Sequence, residues 1–346
     1  MAEAEEDRRL EYCSAPPRTM PNLPPDMPLA RQRAIIVNRS KWANGTQLHY
    51  TFLHGAPAQA DVVREAFQEW KEIGIGLSFV EVDSPAEAEV RIGFVQGDGS
   101  WSYLGRDVLL QGQNERTMNF GWNLRSDHGR STAFHEIGHT IGLPHEHQNP
   151  NAGIVWNEEA VYQYLGGPPN NWPRETVYHN VLRKLSPAEV EGSDWDPDSI
   201  MEYEFPSGLV RSPEAYRKGI FPPGTISKID KEQVLMWYPA LEAQVPRLKA
   251  FQSAALNLAS GQQFNAEIVP DASRPYQIGT FGATDVVLVL FEDIGDGELR
   301  YLAGDDDSGE ERNALIRIKL FAGRRYVARV RMQYAKDSGA SALMYW

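Results

Sequence analysis

Between Ser131 and Pro150 the chain reads STAFHEIGHTIGLPHEHQNP, and the histidines in it are spaced to hold a metal ion. Residues four apart on a helix lie one turn apart on the same face, so His135 and His139 can both present a ring nitrogen to one cation. Glu136 follows the first of them, where its carboxylate can reach a water at an open coordination position, as a general base must. Gly142 can take the positive φ that ends a helix, and Pro144 stops the chain from winding on. Past that turn, His145 can approach the metal from a third direction. Three neutral imidazoles leave one vertex for water or substrate, the arrangement of a catalytic zinc site. A bare His-Glu-x-x-His arises by chance on ordinary helices. Each further specified residue multiplies the chance rate by a background frequency of about 7% for Gly and less for His, so an accidental full pattern is improbable.

HEIGHTIGLPH resembles the metzincin zinc-endopeptidase signature, and Glu146 after the third histidine makes it most similar to the astacin-like branch. SIMEY, Ser199 to Tyr203, is similar to the methionine-containing turn that metzincins place beneath the metal. The resemblance implies an α+β catalytic domain, a mixed sheet with an active-site helix, carrying one catalytic zinc. It implies that Met201 lies under the metal and that Tyr203 can bind zinc and swing away to stabilise the transition state. By the same resemblance Glu146 pairs with the new N-terminal amine of a mature enzyme. The activity implied is hydrolysis of peptide or protein substrates by a metal-activated water, with Glu136 as base. The competing class is an inactive peptidase scaffold that serves binding or adhesion through a second domain. Retention of Glu136, the three histidines, Met201 and Tyr203 argues against it, because a dead scaffold has no chemical reason to keep the base.

Composition bounds the remaining possibilities. With 346 residues, 42% of them hydrophobic and 10% aromatic, the chain is long enough for two domains with packed cores. The net charge of −13 argues against a phosphate backbone as partner, which needs a basic face. Residues 245–346 hold 12 Lys and Arg against 13 Asp and Glu, so −12 of that charge falls on the first 244. No apolar run approaches the ~20 residues that span a bilayer, and MAEAEEDRRLEYC lacks the apolar centre of a signal peptide. Secretion is what the resemblance implies, although the sequence shows no export signal. Cys13 is the single cysteine, which excludes an internal disulfide and departs from the usual disulfide-bonded astacin domain.

The elements that must position these residues can be read in order. Residues 1–33 form an extension, a candidate propeptide, with a charged start followed by a proline-rich stretch. Cys13 lies within it, and two readings stand. A thiolate can fill the open vertex and displace the water, as cysteine switches do in some metzincins, or the thiol is incidental. The catalytic domain is expected over 34–240. AIIV and QLHYTFL read as strands, and Val62, Val63, Ala66, Phe67, Trp70 and Ile73 recur at helical spacing. LSFVEV and AEVRIGFV are further strands, GDGSWSYLG reads as a loop, and RTMNFGW is expected to be the edge strand that an extended peptide can join. Ser126 or Asp127 caps the active-site helix, whose buried stripe is Ala133, Phe134, Ile137 and Ile141. His147 is not expected to be a ligand, since a fourth imidazole closes the catalytic vertex. WNEEAVYQYL and TVYHNVLRKL have helical periodicity, and SKIDKEQVLMWY, capped by Ser227, closes the domain.

Residues 245–346 change to short alternating strands, QQFNAEIV, RPYQIGTF, DVVLVLFED, ALIRIKLF, RRYVARVRM and ALMYW, which fit an all-β sandwich. This part resembles the small β-domains at the C-terminus of secreted bacterial peptidases. Calcium is a second candidate cofactor: Asp98, or Asp305, Asp306 and Asp307, could supply oxygen ligands, although a turn aspartate and a solvated acidic turn are the favoured readings.

Overall fold

The computed structural model describes residues 10–18, 40–54, 57–187, 189–190, 194–241, 245–295 and 297–346. The strand expected at AIIV and the extension apart from 10–18 lie outside the described residues. Two compact units emerge. The first takes in the described residues of Met1–Trp42, with His49–Trp70 and Val80–Asp230; the second takes in Ala43–Leu48, Lys71–Phe79 and Lys231–Trp346.

Alternating side chains form strands β1 (Gln47–Phe52), β2 (Ser78–Glu81), β3 (Val90–Gly93), β4 (Trp101–Ser102) and β5 (Met118–Asn119), ordered β2-β1-β3-β5-β4 in one sheet. β1, β3 and β5 run parallel, whereas β4 pairs antiparallel with β5. The sheet is therefore mixed, as expected. The edge differs from expectation, because Met118–Asn119 is an interior strand and Trp101–Ser102, from the stretch read as a loop, is the edge. Two residues are too few to show an alternating pattern.

Helix α1 (Pro57–Glu72) buries Val62, Val63, Ala66, Phe67 and Trp70. Helix α2 (Asp127–Thr140) carries the histidine motif and is buried from Thr132 to its end. Ser126 caps it, its hydroxyl accepting the Gly129 amide proton at 3.1 Å. The indole N–H of Trp70 donates to the Phe134 carbonyl at 3.1 Å and that of Trp42 to Thr140 at 2.8 Å, fixing the helix at its middle and its end. Gly142 has a φ of 103°, which lets the chain turn out of the helix towards His145.

The lower half contains α3 (Glu158–Gly166) and α4 (Arg174–Val177), the latter running into a π-helical turn, Tyr178–Leu182. It also holds two small ladders, β6 (Val155–Trp156) with β8 (Val210–Ser212) and β7 (Phe205–Pro206) with β9 (Gly219–Ile220). Its core gathers Ile154, Trp156, Val161, Leu165, Tyr203 and Phe205, and the extension adds Tyr12 and Cys13 to it. Helix α5 (Lys228–Trp237) follows. No helix among the described residues is long and apolar enough to cross a membrane.

The remaining strands are β10 (Ala254–Leu258), β11 (Gln263–Ile268), β12 (Arg274–Thr280), β13 (Val286–Gly295), β14 (Glu298–Asp305), β15 (Leu315–Leu320), β16 (Arg325–Met332) and β17 (Gly339–Tyr345). They form two antiparallel sheets, β10-β17-β12-β15 and β11-β16-β13-β14. Leu256, Tyr276, Ile278 and Leu343 from the first share one core with Ala266, Leu288, Leu290 and Val330 from the second, which makes this a β-sandwich.

Candidate active site

His135 and His139 leave the last two turns of α2, each with its Nδ1 held by a backbone carbonyl. His135 Nδ1 is 2.8 Å from Ile200 O, and His139 Nδ1 is 2.8 Å from Leu143 O. A carbonyl only accepts, so the proton sits on Nδ1 and the Nε2 lone pair faces inward. His145 arrives after the Gly142 turn, its Nε2 3.1 Å from that of His139. Cys13 completes the group, its Sγ 2.9 Å from His135 Nε2 and 3.4 Å from His145 Nε2. These four ligand atoms lie within 4.8 Å of one another, the one such group of His, Cys, Asp or Glu among the described residues.

The donor set fits zinc. Burial holds His135 down to about 4 and pushes His139 and His145 well below the ordinary imidazole range, so all three rings are neutral. Neutral rings turning lone pairs towards one another repel, and a cation between them removes the repulsion. Metal–nitrogen bonds of about 2.0 Å and a metal–sulfur bond of about 2.3 Å give tetrahedral edges of roughly 3.3–3.5 Å. Three of the six ligand-atom separations, at 2.9–3.4 Å, are near that scale, and the others stay within 4.8 Å.

Glu136 is fully buried, and neither carboxylate oxygen meets a hydrogen-bond partner among the described residues. Burial pushes its carboxyl well above the usual range, and the nearby Cys13 thiol eases that rise. Burial, and then the charge of Glu136, also push the Cys13 thiol up. The Tyr203 hydroxyl donates to the Cys13 carbonyl at 2.5 Å and lies 3.1 Å from Cys13 Sγ and 3.0 Å from His145 Nε2. The sequence-predicted group thus meets at one point.

Met201 packs beneath α2 so closely that a Cβ built on Gly138 overlaps its Sδ. The turn carrying Met201 is fixed by Asp230, which sequence reasoning missed. Its Oδ1 accepts the Ser199 hydroxyl at 2.7 Å, and its Oδ2 accepts the Ile200 amide at 2.8 Å and the Ser227 amide at 2.9 Å. The visible signal was the Ser227-x-x-Asp230 spacing, a capping pattern whose carboxylate also reaches another loop.

Glu146 accepts the Asn149 side-chain amide and the Asp196 backbone amide, both at 3.0 Å, and burial pushes its carboxyl up to about 7. Met1 and the amine expected to meet Glu146 lie outside the described residues. His147 is not in the ligand group: its Nε2 contacts the Asn180 carbonyl at 2.8 Å, and its Nδ1 lies 3.6 Å from Glu202. Asp98 is paired with Arg116 at 2.8 Å. Asp305 closes its own turn through Ser308 and Leu315, and Asp306 meets Gln333 at 3.3 Å.

The extension crosses this site. Ser14 donates its amide to the Ser100 carbonyl at 2.9 Å, beside edge strand β4, and Arg18 pairs with Asp107 at 2.6 Å. Tyr12 and Cys13 also help to wall a cavity of roughly 100 Å³ with Trp122, Thr132, His135 and Pro222.

Comparison with known proteins agrees with this geometry. Residues 34–208 match the family model described as Astacin, a peptidase family. Blastula protease 10 of Paracentrotus lividus is 24% identical over 178 residues, 50% of this chain and 27% of that protein. Serralysin of Photorhabdus luminescens is 30% identical over 123 residues, 29% of this chain and 25% of that protein. The chain thus spans about a quarter of the length of these curated relatives. The solved structure of myroilysin superposes with a TM-score of 0.55 at 34% identity, covering 60% of this chain and 99% of that one. A family match across the histidine motif and the methionine turn, with a whole solved domain superposed on it, shows that the chain belongs to the astacin family of peptidases.

Proposed function

We propose that the chain is a zinc-dependent endopeptidase acting on peptide or protein substrates and held latent by its own extension, with Cys13 standing where the reacting water belongs. The observation that carries this reading is the convergence of three imidazoles, a buried carboxylate and a thiol from 122 residues upstream of His135. His135, His139 and His145 are the metal ligands, oriented by the carbonyls of Ile200 and Leu143 on the first two. Zinc bound there would supply Lewis acidity and would lower the pKa of a bound water. Glu136 takes a proton from the attacking water and passes it to the leaving amine. The Tyr203 hydroxyl now donates to the Cys13 carbonyl, and once the extension leaves it is free to donate to the developing oxyanion. Met201 supports the ligand helix from below through its contact at Gly138. Removal of the extension near Arg31 or Arg33 withdraws Cys13 and creates an amine that Glu146 can accept. Both arginines lie outside the described residues.

The test compares the intact chain, Cys13→Ala, and a chain trimmed near Arg31 or Arg33, each assayed for zinc and for cleavage of a peptide library. All three should bind one zinc, and only the last two should cleave. X-ray absorption should find a sulfur ligand in the intact chain alone. Equal cleavage by all three, with no sulfur ligand, refutes the latency. Zinc binding by all three with cleavage by none favours the inactive scaffold.

A further inference from the structure

Tyr12 precedes the proposed zinc-blocking residue and is only 5% exposed, although it belongs to an otherwise irregular extension. Its ring lies in an aromatic seat. Phe205 stacks on it at 6.1 Å and 24°, Tyr164 and Trp172 meet it edge-on at 6.2 Å and 6.4 Å, and Tyr203 closes the seat at 5.2 Å. The floor is polar at one point, where the Tyr12 hydroxyl donates to the Glu204 carbonyl at 2.6 Å. The seat thus matches both the apolar body and the polar tip of a tyrosine.

The backbone on either side is held without regard to side chain. Asn170 accepts the Tyr12 amide proton on Oδ1 at 2.9 Å and donates from Nδ2 to the Leu10 carbonyl at 2.8 Å. A carboxamide that pairs with both a donor and an acceptor of a passing backbone grips a peptide there whatever its side chain. The walls and the grip come from the body of the first unit and remain when the extension leaves. One residue along the strand, Cys13 Sγ lies among the histidine nitrogens, so the seat flanks the point of cleavage.

We infer that the seat of Tyr12, formed by Tyr164, Trp172, Phe205 and the Glu204 carbonyl, is a substrate subsite selecting an aromatic side chain, tyrosine above all, next to the scissile bond. The inference rests on the peptidase reading above and gives it a substrate class. In the latent chain Tyr12 occupies the subsite as a resident competitor. A carbonyl placed for a hydroxyl favours tyrosine over phenylalanine, and the ring-sized space favours both over alanine.

The test uses the full-length chain carrying Tyr12→Ala and Cys13→Ala together, which vacates the seat and the metal's fourth position. A randomised peptide library should show tyrosine, then phenylalanine, enriched at one position within two residues of the cut. For matched single peptides, kcat/KM for tyrosine should exceed that for alanine by about tenfold or more. Adding Trp172→Ala should collapse that ratio, and Trp172→Phe should retain most of it. Calorimetry on the same protein with Glu136→Gln added reads the subsite without catalysis, with the pentapeptide Leu-Glu-Tyr-Ser-Ser expected to bind at least about tenfold tighter than Leu-Glu-Ala-Ser-Ser. Cleavage with no aromatic preference overturns the subsite and leaves the peptidase reading intact. Tyrosine-selective binding with no cleavage of any peptide leaves the subsite standing and overturns the peptidase reading. Equal binding of the two pentapeptides overturns the subsite whether or not peptides are cleaved.

Discussion

Burying a carboxyl costs desolvation, which at Glu136 only the neighbouring Cys13 thiol eases, so Glu136 is a poor residue for stability alone. Its place beside His135 gives the chemical reason to keep it. Glu136→Gln keeps the shape and removes the base, so kcat in the Cys13→Ala background should fall by about 10²–10⁴-fold while zinc content stays at one per chain. Activity within tenfold of the parent would move the base elsewhere. Glu136, His135 and His139 were legible as a group because their relation is local: helix geometry converts a spacing of four into a shared face. Tyr12 was not legible. Its partners Tyr164, Trp172 and Tyr203 come from distant segments, and nothing in LEYCSAPP marks one aromatic as seated. Cys13 stood out as the single thiol, but only the packed chain brings it to His135.

At the scale of elements, the ligand helix and the methionine turn are joined where Gly138 meets Met201. Replacing Gly138 by alanine should add helix propensity, roughly 1 kcal/mol. The added Cβ overlaps Met201 Sδ, and Met201, at 1% exposure, has no solvent to retreat into. Overpacking of this kind costs about 1–3 kcal/mol, so the clash wins. Gly138→Ala should lower the melting temperature by a few degrees and weaken zinc retention against a chelator; an unchanged or higher melting temperature would show that the turn yields freely. The same scale explains which strands could be read. The six predicted strands of the sandwich correspond to β11, β12, β13, β15, β16 and β17. The two missed, β10 and β14, are edges of their sheets. β14 is half-exposed along its length, so no apolar alternation is imposed on it, and β4 at the edge of the catalytic sheet is only two residues long.

At the scale of the molecule, we propose that the chemistry is complete before residue 240 and that the stability is not. His135, Glu136, His139, His145, Met201 and Tyr203 all precede that point, which is where the sequence changes character. The second compact unit nevertheless includes Ala43–Leu48 and Lys71–Phe79 from the early chain. Asn44 is buried there, its amide donating to Gln263 Oε1 at 2.5 Å and to the Pro239 carbonyl at 2.8 Å. Gly45, at a φ of 85°, lies so close to the buried Arg329 guanidinium that a Cβ has no room, and Ala43 packs against Val289, Phe291 and Val327. A fragment ending at residue 240 deletes Gln263, Arg329 and that apolar cluster together. Losing a buried hydrogen-bond partner costs about 1–3 kcal/mol, and each kcal/mol moves the melting temperature of a chain of this size by roughly 2–4 °C. The Cys13→Ala fragment should therefore bind one zinc and cleave small peptides, yet melt roughly 3–10 °C below the full-length variant in differential scanning calorimetry. Equal melting temperatures would mean that Ala43–Leu48 gains nothing from the sandwich, whereas a folded, zinc-bound fragment without cleavage would mean that the sandwich shares in the chemistry.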